Sequence, residues 1–517
     1  MLLLGFGGCA SIRSGTRPPG GFKGGSDFQS GHLLREPGPA PKAVEEREVK
    51  TAILGAGMAG LSAAWQLDRS GWKEFEIFDL ETRAGGNSRY ASYPASKAPL
   101  AAHYLPVPTA ESVEVRELLL EMGLMRQTSD GKPDYDERQL CQPLKERLRY
   151  GKRWYESLVP LSELSEGERE QFADFKREVK FWQEYRDGQG RKAFAIPLAY
   201  SSREPELMAL DRISFARYAQ EKGWTLPFVR WLLEYATRDD YGAGLEQVSA
   251  WAGLHYFCCR DGGGFRDDDA IFVWPEGNGR IVEHLLGRVG DRLRTRHLVK
   301  KLEPGKKVAI ELLQVDSGRT VRLVADNCIY CLPAFQRPYH FAEAPAPSAK
   351  YAPWVTANLV LRRPPQELSD FSEPAWDNVI YGSSSLGYVV ARHQTAAFRN
   401  SGPNVWTWYR SFPGEEPEKV RERLLKSRWE EWRNEIIDDL KVVHPDIAQV
   451  TERIDVALFG HGMIVPSVNY VWGPELESLR RPLENVWFAH SDLSGISVFE
   501  EAQYRGVLAA EELMSSG

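Results

Sequence analysis

Hydrophobic and polar residues near the N-terminus follow the pattern of a strand, a turn, a helix and a second strand. Val49–Leu54 is an apolar run typical of a strand, and it leads directly into the turn Gly55-Ala56-Gly57-Met58-Ala59-Gly60. Leu61–Ser70 has the spacing of an amphipathic helix, and Glu76–Leu80 is a short second strand. The pattern predicts an α/β domain that begins with this unit.

The glycines of this turn stand where a dinucleotide-binding turn requires them. Gly55 permits a tight turn, Gly57 lets a pyrophosphate approach the backbone, and Gly60 permits close packing of the helix on the strand. The free N–H groups at the start of the helix can then face the phosphates. The turn therefore predicts a dinucleotide site, and a glycine-rich turn of another α/β protein is the alternative.

An acidic residue at the end of the second strand supports the dinucleotide prediction. Asp79 lies about 20 residues beyond the last glycine, where a carboxylate can accept hydrogen bonds from the ribose hydroxyls. Glu76 and Glu81 are alternatives, but the alternation of the strand and the offset to the next motif favour Asp79.

The next motif resembles a signature of one family of flavoproteins. Arg83-Ala84-Gly85-Gly86-Asn87-Ser88 is similar to the R-x-G-G-R-x-S/T sequence of the FAD-dependent superfamily that contains amine oxidases, protoporphyrinogen oxidase and carotenoid desaturases. The resemblance, to a bacterial branch of this superfamily, implies FAD as the cofactor. Noncovalent binding is expected because no His or Cys stands in a recognisable attachment motif. The resemblance assigns cofactor contacts to Arg83, Gly85, Gly86, Asn87 and Ser88. Asn87 stands where the family has a second arginine.

Two later segments resemble the same superfamily and appear in the expected order. Residues 272–302 are similar to the P-x-G-G segment in which the chain returns to the FAD domain, which implies that the backbone of Val299 meets the adenine. Residues 485–514 are similar to the final turn and helix of the family. There the resemblance implies that Ser491 or Asp492 contacts the pyrophosphate or the ribityl chain.

The resemblance implies an α/β protein in which a Rossmann-like FAD-binding domain of the glutathione reductase type is interleaved with an α+β substrate domain. The FAD-binding parts are expected at 46–100, 270–335 and 480–517, and the substrate parts at 101–269 and 336–479. The Gly- and Pro-rich residues 1–45 are expected to be a flexible tether or a signal remnant.

Candidate catalytic residues come from the family pattern and from side-chain chemistry. In many amine oxidases of the family, a substrate-domain lysine holds a water against the flavin and assists reaction with oxygen, and Asn358 takes that place here. His103 and His461 are candidates for proton handling, with a packing role as the alternative. The carboxylates that could attract a cationic polyamine are Glu500, Glu501 and Asp240.

The resemblance implies oxidation of an amine, polyamines included, by hydride transfer to flavin. Oxygen or a quinone-like compound would accept the electrons. One alternative is an FAD-dependent C–C desaturase or dehydrogenase that uses an acceptor other than oxygen, because the family lysine is missing. The other is a flavin-binding scaffold without catalytic activity.

Length, charge and cysteine content limit the number of domains and the classes of ligand that we expect. At 517 residues the chain predicts two or three domains, and the net charge of −7 without a basic stripe gives no support for nucleic-acid binding. Six cysteines in so long a chain do not indicate a disulfide framework, and no metal site is expected. Cys328 and Cys331 lie in an apolar strand-like run, so buried cysteines are favoured over a metal or redox pair.

The first residues resemble the end of a bacterial lipoprotein signal. Met1–Gly8 is apolar and precedes Cys9, which would become the lipidated residue. This resemblance implies a membrane tether in the bacterial cell envelope, and a cytoplasmic protein with an ordinary tail is the alternative.

Overall fold

The computed structural model describes residues 17–35, 45–260, 270–342, 344, 346–367, 374–395 and 402–516. Cys9, on which the envelope prediction depends, lies outside these residues. Among the helices described, none combines the length and apolar composition that a bilayer crossing requires. The described residues also contain no group of three or more His, Cys, Asp or Glu side chains arranged to hold a metal ion.

The described chain contains strands and helices along its whole length, including a run of helices from α4 to α8 and a run of strands from β12 to β15. The strands are β1 (Gly20–Gly25), β2 (Glu45–Leu54), β3 (Phe75–Phe78), β4 (Tyr90–Ser92), β5 (Lys97–Pro99), β6 (Tyr104–Pro106), β7 (Met125–Gln127), β8 (Pro133–Tyr135), β9 (Glu146–Tyr150), β10 (Arg153–Tyr155), β11 (Ile271–Val273), β12 (Leu293–Arg294), β13 (His297–Glu303), β14 (Val308–Gln314), β15 (Arg319–Tyr330), β16 (Lys350–Leu361), β17 (Asp377–Ile380), β18 (Gly387–Val390), β19 (Asn404–Ser411), β20 (Thr451–Val465) and β21 (Val486–Phe488). The α-helices are α1 (Phe28–Gly31), α2 (Met58–Arg69), α3 (Val113–Glu121), α4 (Glu166–Glu184), α5 (Pro205–Ala209), α6 (Phe215–Glu221), α7 (Pro227–Tyr241), α8 (Ala250–Cys258), α9 (Gly279–Val289), α10 (Arg337–His340), α11 (Pro417–Lys426), α12 (Trp429–Leu440), α13 (Ile447–Val450), α14 (Pro474–Arg480) and α15 (Phe499–Ser516).

A seven-stranded sheet carries the N-terminal β2–α2–β3 unit. Its order is β12-β3-β2-β15-β14-β13, and β21 pairs with β15. β2 lies parallel to both β3 and β15, whereas β14 is antiparallel to both β13 and β15. The strands come from residues 45–78, 293–330 and 486–488. Helix α2 packs against α9 and α15 on one face, which gives the α/β Rossmann-like architecture that the sequence predicted.

A mixed eight-stranded sheet forms the second layer. Its order is β1-β20-β16-β19-β18-β17-β9-β10. Strand β16 is buried at every position after Lys350 because β19 and β20 pair with its two edges and helices cover the sheet. Helices α11 and α12 pack beside β16 and β20, and helices α4 to α8 share a large apolar core with strand residues of this sheet.

Part of the predicted N-terminal tether is ordered, so that prediction is wrong for the described residues 17–35. Strand β1 pairs in parallel with β20 and forms an edge of the eight-stranded sheet. Its glycines allow this close approach, since a Cβ on Gly20 would lie 1.7 Å from the carbonyl oxygen of Ile454. The glycine-rich composition here reflects close strand packing.

Candidate functional site: two adjoining cavities

Two cavities meet beside the glycine turn. The large cavity, of about 690 Å³, runs along the start of α2 and the ends of β3 and β15. The small cavity, of about 160 Å³, lies among α7, β16, β17 and the start of α15. They adjoin at Asn87, Ala102, Asn278, Gly462 and residues 497–499, which line both cavities. The large volume lies within the range of about 300–1,000 Å³ that is typical of ligand sites.

The glycine turn has the geometry of a phosphate cradle. Gly55 has a left-handed φ of +102° and, with Gly57, lines the large cavity. A Cβ on Gly57 would meet no protein atom within 4 Å, whereas a Cβ on Gly60 would lie 1.9 Å from the carbonyl oxygen of Gly55. Gly57 caps α2 without a side-chain hydrogen bond, which leaves the N–H groups of the first turn available to a ligand.

Asp79 lies at the end of β3 and lines the large cavity. Its carboxylate accepts hydrogen bonds from the backbone N–H groups of Ala56 at 2.5 Å and Glu81 at 2.7 Å. Burial raises the pKa of Asp79 to about 6. Asp79 therefore ties the glycine turn to the second strand as well as facing the cavity. Glu76 pairs with Arg47 at 2.8 Å and does not line the cavity.

The arginine that the resemblance assigns to the cofactor does not line the large cavity. The guanidinium of Arg83 lies over the ring of Tyr90, 4.7 Å from its centroid, and does not line either cavity. Arg89 lines the large cavity instead, where it pairs with Glu81 at 2.9 Å and donates to the carbonyl oxygen of Gly86. Gly85 and Gly86, which lie between the two arginines, both have a left-handed φ.

The other residues assigned to the cofactor by resemblance all line the large cavity: Gly85, Gly86, Asn87, Ser88, Val299, Ser491 and Asp492. The amide of Asn87 donates to the carbonyl oxygen of Gly462 at 2.8 Å and so connects the loop to β20. Asp492 accepts hydrogen bonds from Tyr351 at 2.6 Å and from the N–H of Ala334 at 2.9 Å. Burial opposes ionisation, but these bonds and nearby His490 lower the pKa of Asp492.

An unpartnered polar atom lies where the cavities meet. The Oδ1 atom of Asn278 is buried and accepts no hydrogen bond from any described residue. Buried polar atoms normally have a partner, so this oxygen indicates a donor supplied by a ligand or water. The open space at Gly57 and this oxygen are both features that a bound dinucleotide could use.

Acidic side chains of distant segments meet in the small cavity. They are Asp239 and Asp240 at the end of α7, Asp377 at the start of β17 and Glu500 in the first turn of α15. Arg260 also lines the cavity and pairs with Asp240 at 3.2 Å. Burial raises the pKa of all four carboxyl groups, and the neighbouring Asp240 raises that of Asp239 further. Of these four acids, Asp240 and Glu500 were predicted from the sequence to attract a cation, and Asp377 was not predicted.

Aromatic rings complete the wall of the small cavity. His103 lies 4.7 Å from the ring of Tyr409 and 5.4 Å from that of Trp376, measured between centroids. Its Nδ1 atom lies 3.1 Å from the carbonyl oxygen of Ala101. Burial lowers the pKa of His103 to about 4, so the imidazole is neutral at pH 7. Tyr104, Tyr235 and Trp354 line the same cavity.

Two predicted catalytic residues do not reach a cavity. Asn358 is buried in β16, where its Oδ1 accepts a hydrogen bond from Thr407 at 2.8 Å, and the residues of that strand that line the small cavity are Trp354 and Thr356. Glu501 is fully buried and accepts a hydrogen bond from the N–H of Leu198. Glu500 faces the cavity because successive residues of a helix point about 100° apart.

The third candidate, His461, lines the large cavity and not the small one. Its ring stacks on that of Phe335 with 4.1 Å between centroids. Burial, with a smaller effect of Arg421, lowers the pKa of His461 to about 3. Among the described residues, neither cavity has a lysine in its wall.

Comparisons with known proteins agree with this architecture. Residues 53–121 match the family model of the NAD(P)-binding Rossmann-like domain. No curated protein matches the chain in sequence. Wild-type putrescine oxidase bound to putrescine has a TM-score of 0.60 at 13% identity, over 91% of this chain and 100% of the other. Cyclohexylamine oxidase from Brevibacterium oxydans IH-35A has a TM-score of 0.63 at 14% identity, over 90% and 100%.

A third solved structure is the CLA-producing fatty acid isomerase from P. acnes. It has a TM-score of 0.61 at 15% identity, over 90% of this chain and 98% of the other. Identities this low compare folds and not activities. The chain thus carries a NAD(P)-binding Rossmann-like domain, and its overall fold is similar to that of putrescine oxidase and cyclohexylamine oxidase.

Proposed function

We propose that this chain is an FAD-dependent oxidoreductase that oxidises a cationic amine, with diamines and polyamines as the preferred class. FAD would bind noncovalently in the large cavity and the amine in the small one. The observation that carries the proposal is the acidic cluster of the small cavity, Asp239, Asp240, Asp377 and Glu500, directly beside the dinucleotide cradle.

The charge of the cluster favours a cation. Arg260 compensates one carboxylate, Asp240, and no other Lys or Arg lines the cavity in the described part of the chain. Burial raises the pKa of the remaining acids, and the charge of Arg260 offsets this only in part for Asp239 and Glu500. An alkylammonium group would supply a further cationic partner, and the faces of Tyr235 and Tyr409 would attract the same charge.

The residues of the small cavity can also prepare the amine for oxidation. Bound FAD would supply the hydride acceptor. An amine must be neutral at the reacting nitrogen, and Asp239, in its ionised form, can accept the ammonium proton because its raised pKa makes it a stronger base than an ordinary carboxylate. A second ammonium group would pair with the carboxylates that stay ionised. His103 is neutral and holds its place by stacking and by its contact with the carbonyl of Ala101.

The electron acceptor in this proposal is a quinone-like compound in preference to oxygen. Its support is that no lysine lines either cavity in the described residues, although the superfamily commonly uses one to assist reaction with oxygen.

The second candidate function is dehydrogenation or isomerisation of a carbon chain that bears an acid group. The presence of Arg260 among apolar residues such as Leu386 and Val389 favours it, but Asp240 already pairs with that arginine.

An anaerobic titration tests the proposal. The flavin absorbance near ~450 nm is followed while monoamines, diamines, polyamines and unsaturated fatty acids are added separately. Bleaching by diamines or polyamines supports amine oxidation, and slow recovery in air followed by fast recovery with a quinone supports the acceptor. A change in the flavin absorbance with fatty acids and with no amine would favour dehydrogenation or isomerisation of a carbon chain. A flavin band that none of these compounds alters would leave the scaffold alternative.

A further inference from the structure

We propose that residues 26–35, here called the N-terminal strap, complete the dinucleotide site and hold the adenosine end of the cofactor. This inference rests on the FAD assignment of the proposed function. The strap begins where β1 leaves the eight-stranded sheet, at Gly25 paired with Leu458. It then crosses to the seven-stranded sheet, so it connects the two layers over the large cavity.

The strap forms part of the cavity wall. Residues that line the large cavity include Asp27, Phe28, His32 and Leu34 of the strap. Phe28 and His32 lie 5.9 Å apart between ring centroids, and Phe28 is 38% exposed. A partly exposed aromatic pair in a cavity wall is suited to an adenine ring, because both faces of a purine can pack on apolar and aromatic groups.

The contacts of the strap go to the elements expected to bind the adenosine. The N–H of Asp27 donates to the carboxylate of Glu81 at 2.8 Å, two residues after Asp79. The carbonyl oxygen of Leu33 accepts a hydrogen bond from Lys300 at 2.5 Å, next to Val299. Asp79 and Val299 line the same cavity. The strap is therefore fixed to the segments that carry the predicted ribose and adenine contacts.

An ion pair joins the strap to the turn before β13. Arg296 donates to Asp27 at 2.7 Å and to the carbonyl oxygen of Leu80 at 3.1 Å. It also pairs with Asp316 at 3.0 Å, on the side away from the cavity. Arg296 has a left-handed φ of 60°, which a residue with a side chain adopts only when its surroundings hold it there. The two carboxylates provide matched partners, one inside the strap and one outside it.

Because Arg296 pairs with one carboxylate in the strap and one outside it, replacing each in turn tests the role of the strap. Asp27→Asn removes the charge that holds the strap while keeping an oxygen for the N–H of Ser30, its present partner at 3.0 Å. Asp316→Asn removes the other charge on Arg296, and the Asp316 side chain is 70% exposed and outside the cavity. FAD release from each holoprotein is followed by the rise in flavin fluorescence after dilution, with no amine present.

We expect Asp27→Asn to release FAD roughly tenfold faster than the wild type, the effect of weakening one charge-assisted hydrogen bond. Asp316→Asn should change the rate less than about twofold. Phe28→Ala should also release FAD faster, since it removes apolar wall without touching the ion pair. Thermal unfolding of the apoproteins checks that the variants are folded.

Each result decides one question. Equal release rates for Asp27→Asn and Asp316→Asn, with Phe28→Ala unchanged, would overturn the strap assignment and leave amine oxidation standing. Fast release from the strap variants in a protein that no amine reduces would support the strap and count against the proposed substrate. A wild-type protein that binds no FAD would overturn both.

Discussion

Replacement of Asp239 by Asn is the sharpest test of the acidic cavity. A cation within about 4 Å of one carboxylate gains about 4 kcal/mol at an effective dielectric constant of about 20. Part of this is lost because burial and Asp240 raise the pKa of Asp239, so the group must first lose its proton. Asp377 and Glu500 remain in the variant. We expect a diamine to bind about 2–3 kcal/mol more weakly, or roughly 30- to 150-fold.

The pH dependence of amine affinity provides a second test of the role of Asp239. A proton on Asp239 competes with the ammonium group, so the affinity of the wild type should rise as pH increases through the raised pKa of this group. The variant has no proton to lose at this position and should show a smaller rise. Dissociation constants come from anaerobic flavin reduction at several amine concentrations between pH 6 and pH 9.

The same replacement should stabilise the fold. Because the pKa of Asp239 is higher in the folded chain than its ordinary value of 3.8, the folded state holds the proton more tightly. The free energy of unfolding of the wild type therefore falls as pH rises from about 3.8 towards the raised pKa. Asp239→Asn should increase the unfolding temperature at pH 8 and change it little at pH 4.

A buried carboxylate outside the cavities is the control. Burial raises the pKa of Asp211 to about 6, and Asp211 accepts a hydrogen bond from the N–H of Trp472 at 3.1 Å. Asp211 lines neither cavity, so Asp211→Asn should leave amine binding unchanged. If Asp239→Asn and Asp211→Asn both bind the diamine as the wild type does, the cavity does not recognise cations and the reasoning is wrong.

Three further predictions concern the cofactor cradle and His103. Gly60→Ala should destabilise the apoprotein by more than about 2 kcal/mol in urea unfolding. By contrast, Gly57→Ala should cost less than about 1 kcal/mol and instead weaken FAD binding, so equal stability losses would contradict this assignment. Arg89→Ala should lower the flavin-to-protein absorbance ratio of the purified protein while Arg83→Ala keeps it, and the reverse would restore the sequence prediction. His103, with its pKa near 4, should show constant imidazole ¹⁵N shifts from pH 5.5 to 8, and a titration near pH 6.5 would refute its burial.

The cofactor half of the site could be predicted because its information is local. The glycine turn, α2 and β3 are consecutive, and Gly55, Gly57 and Asp79 lie in the cavity wall as the spacing requires. Local sequence also has limits, since Arg89 and not Arg83 lines the large cavity. Local sequence does not show which positions of a strand or helix face a cavity, and Asn358 and Glu501 line neither of the two cavities.

The small cavity could not be predicted as a unit because its residues are far apart in the chain. Asp239, Arg260, Asp377 and Glu500 belong to segments whose meeting depends on how α7, β17 and α15 pack. No repeat or spacing in the sequence links them. A useful signal was present for one pair only, the adjacent acids Asp239 and Asp240 at the end of a helix.

The position of that pair is itself an argument for a ligand. Asp239 and Asp240 end α7, where the partial negative charge of the helix C-terminus opposes a carboxylate, and Gly242 caps the helix in a left-handed conformation with φ 67°. Burial and mutual repulsion add to this cost, and Arg260 pairs with Asp240 alone among the described contacts. An arrangement that lowers the stability of the empty protein is typical of a site whose charges are completed on binding. A cation in the small cavity would offset three costs together: the negative charge of the helix end, the repulsion between the carboxylates and the burial of these groups. An anionic substrate would interact favourably with Arg260 alone.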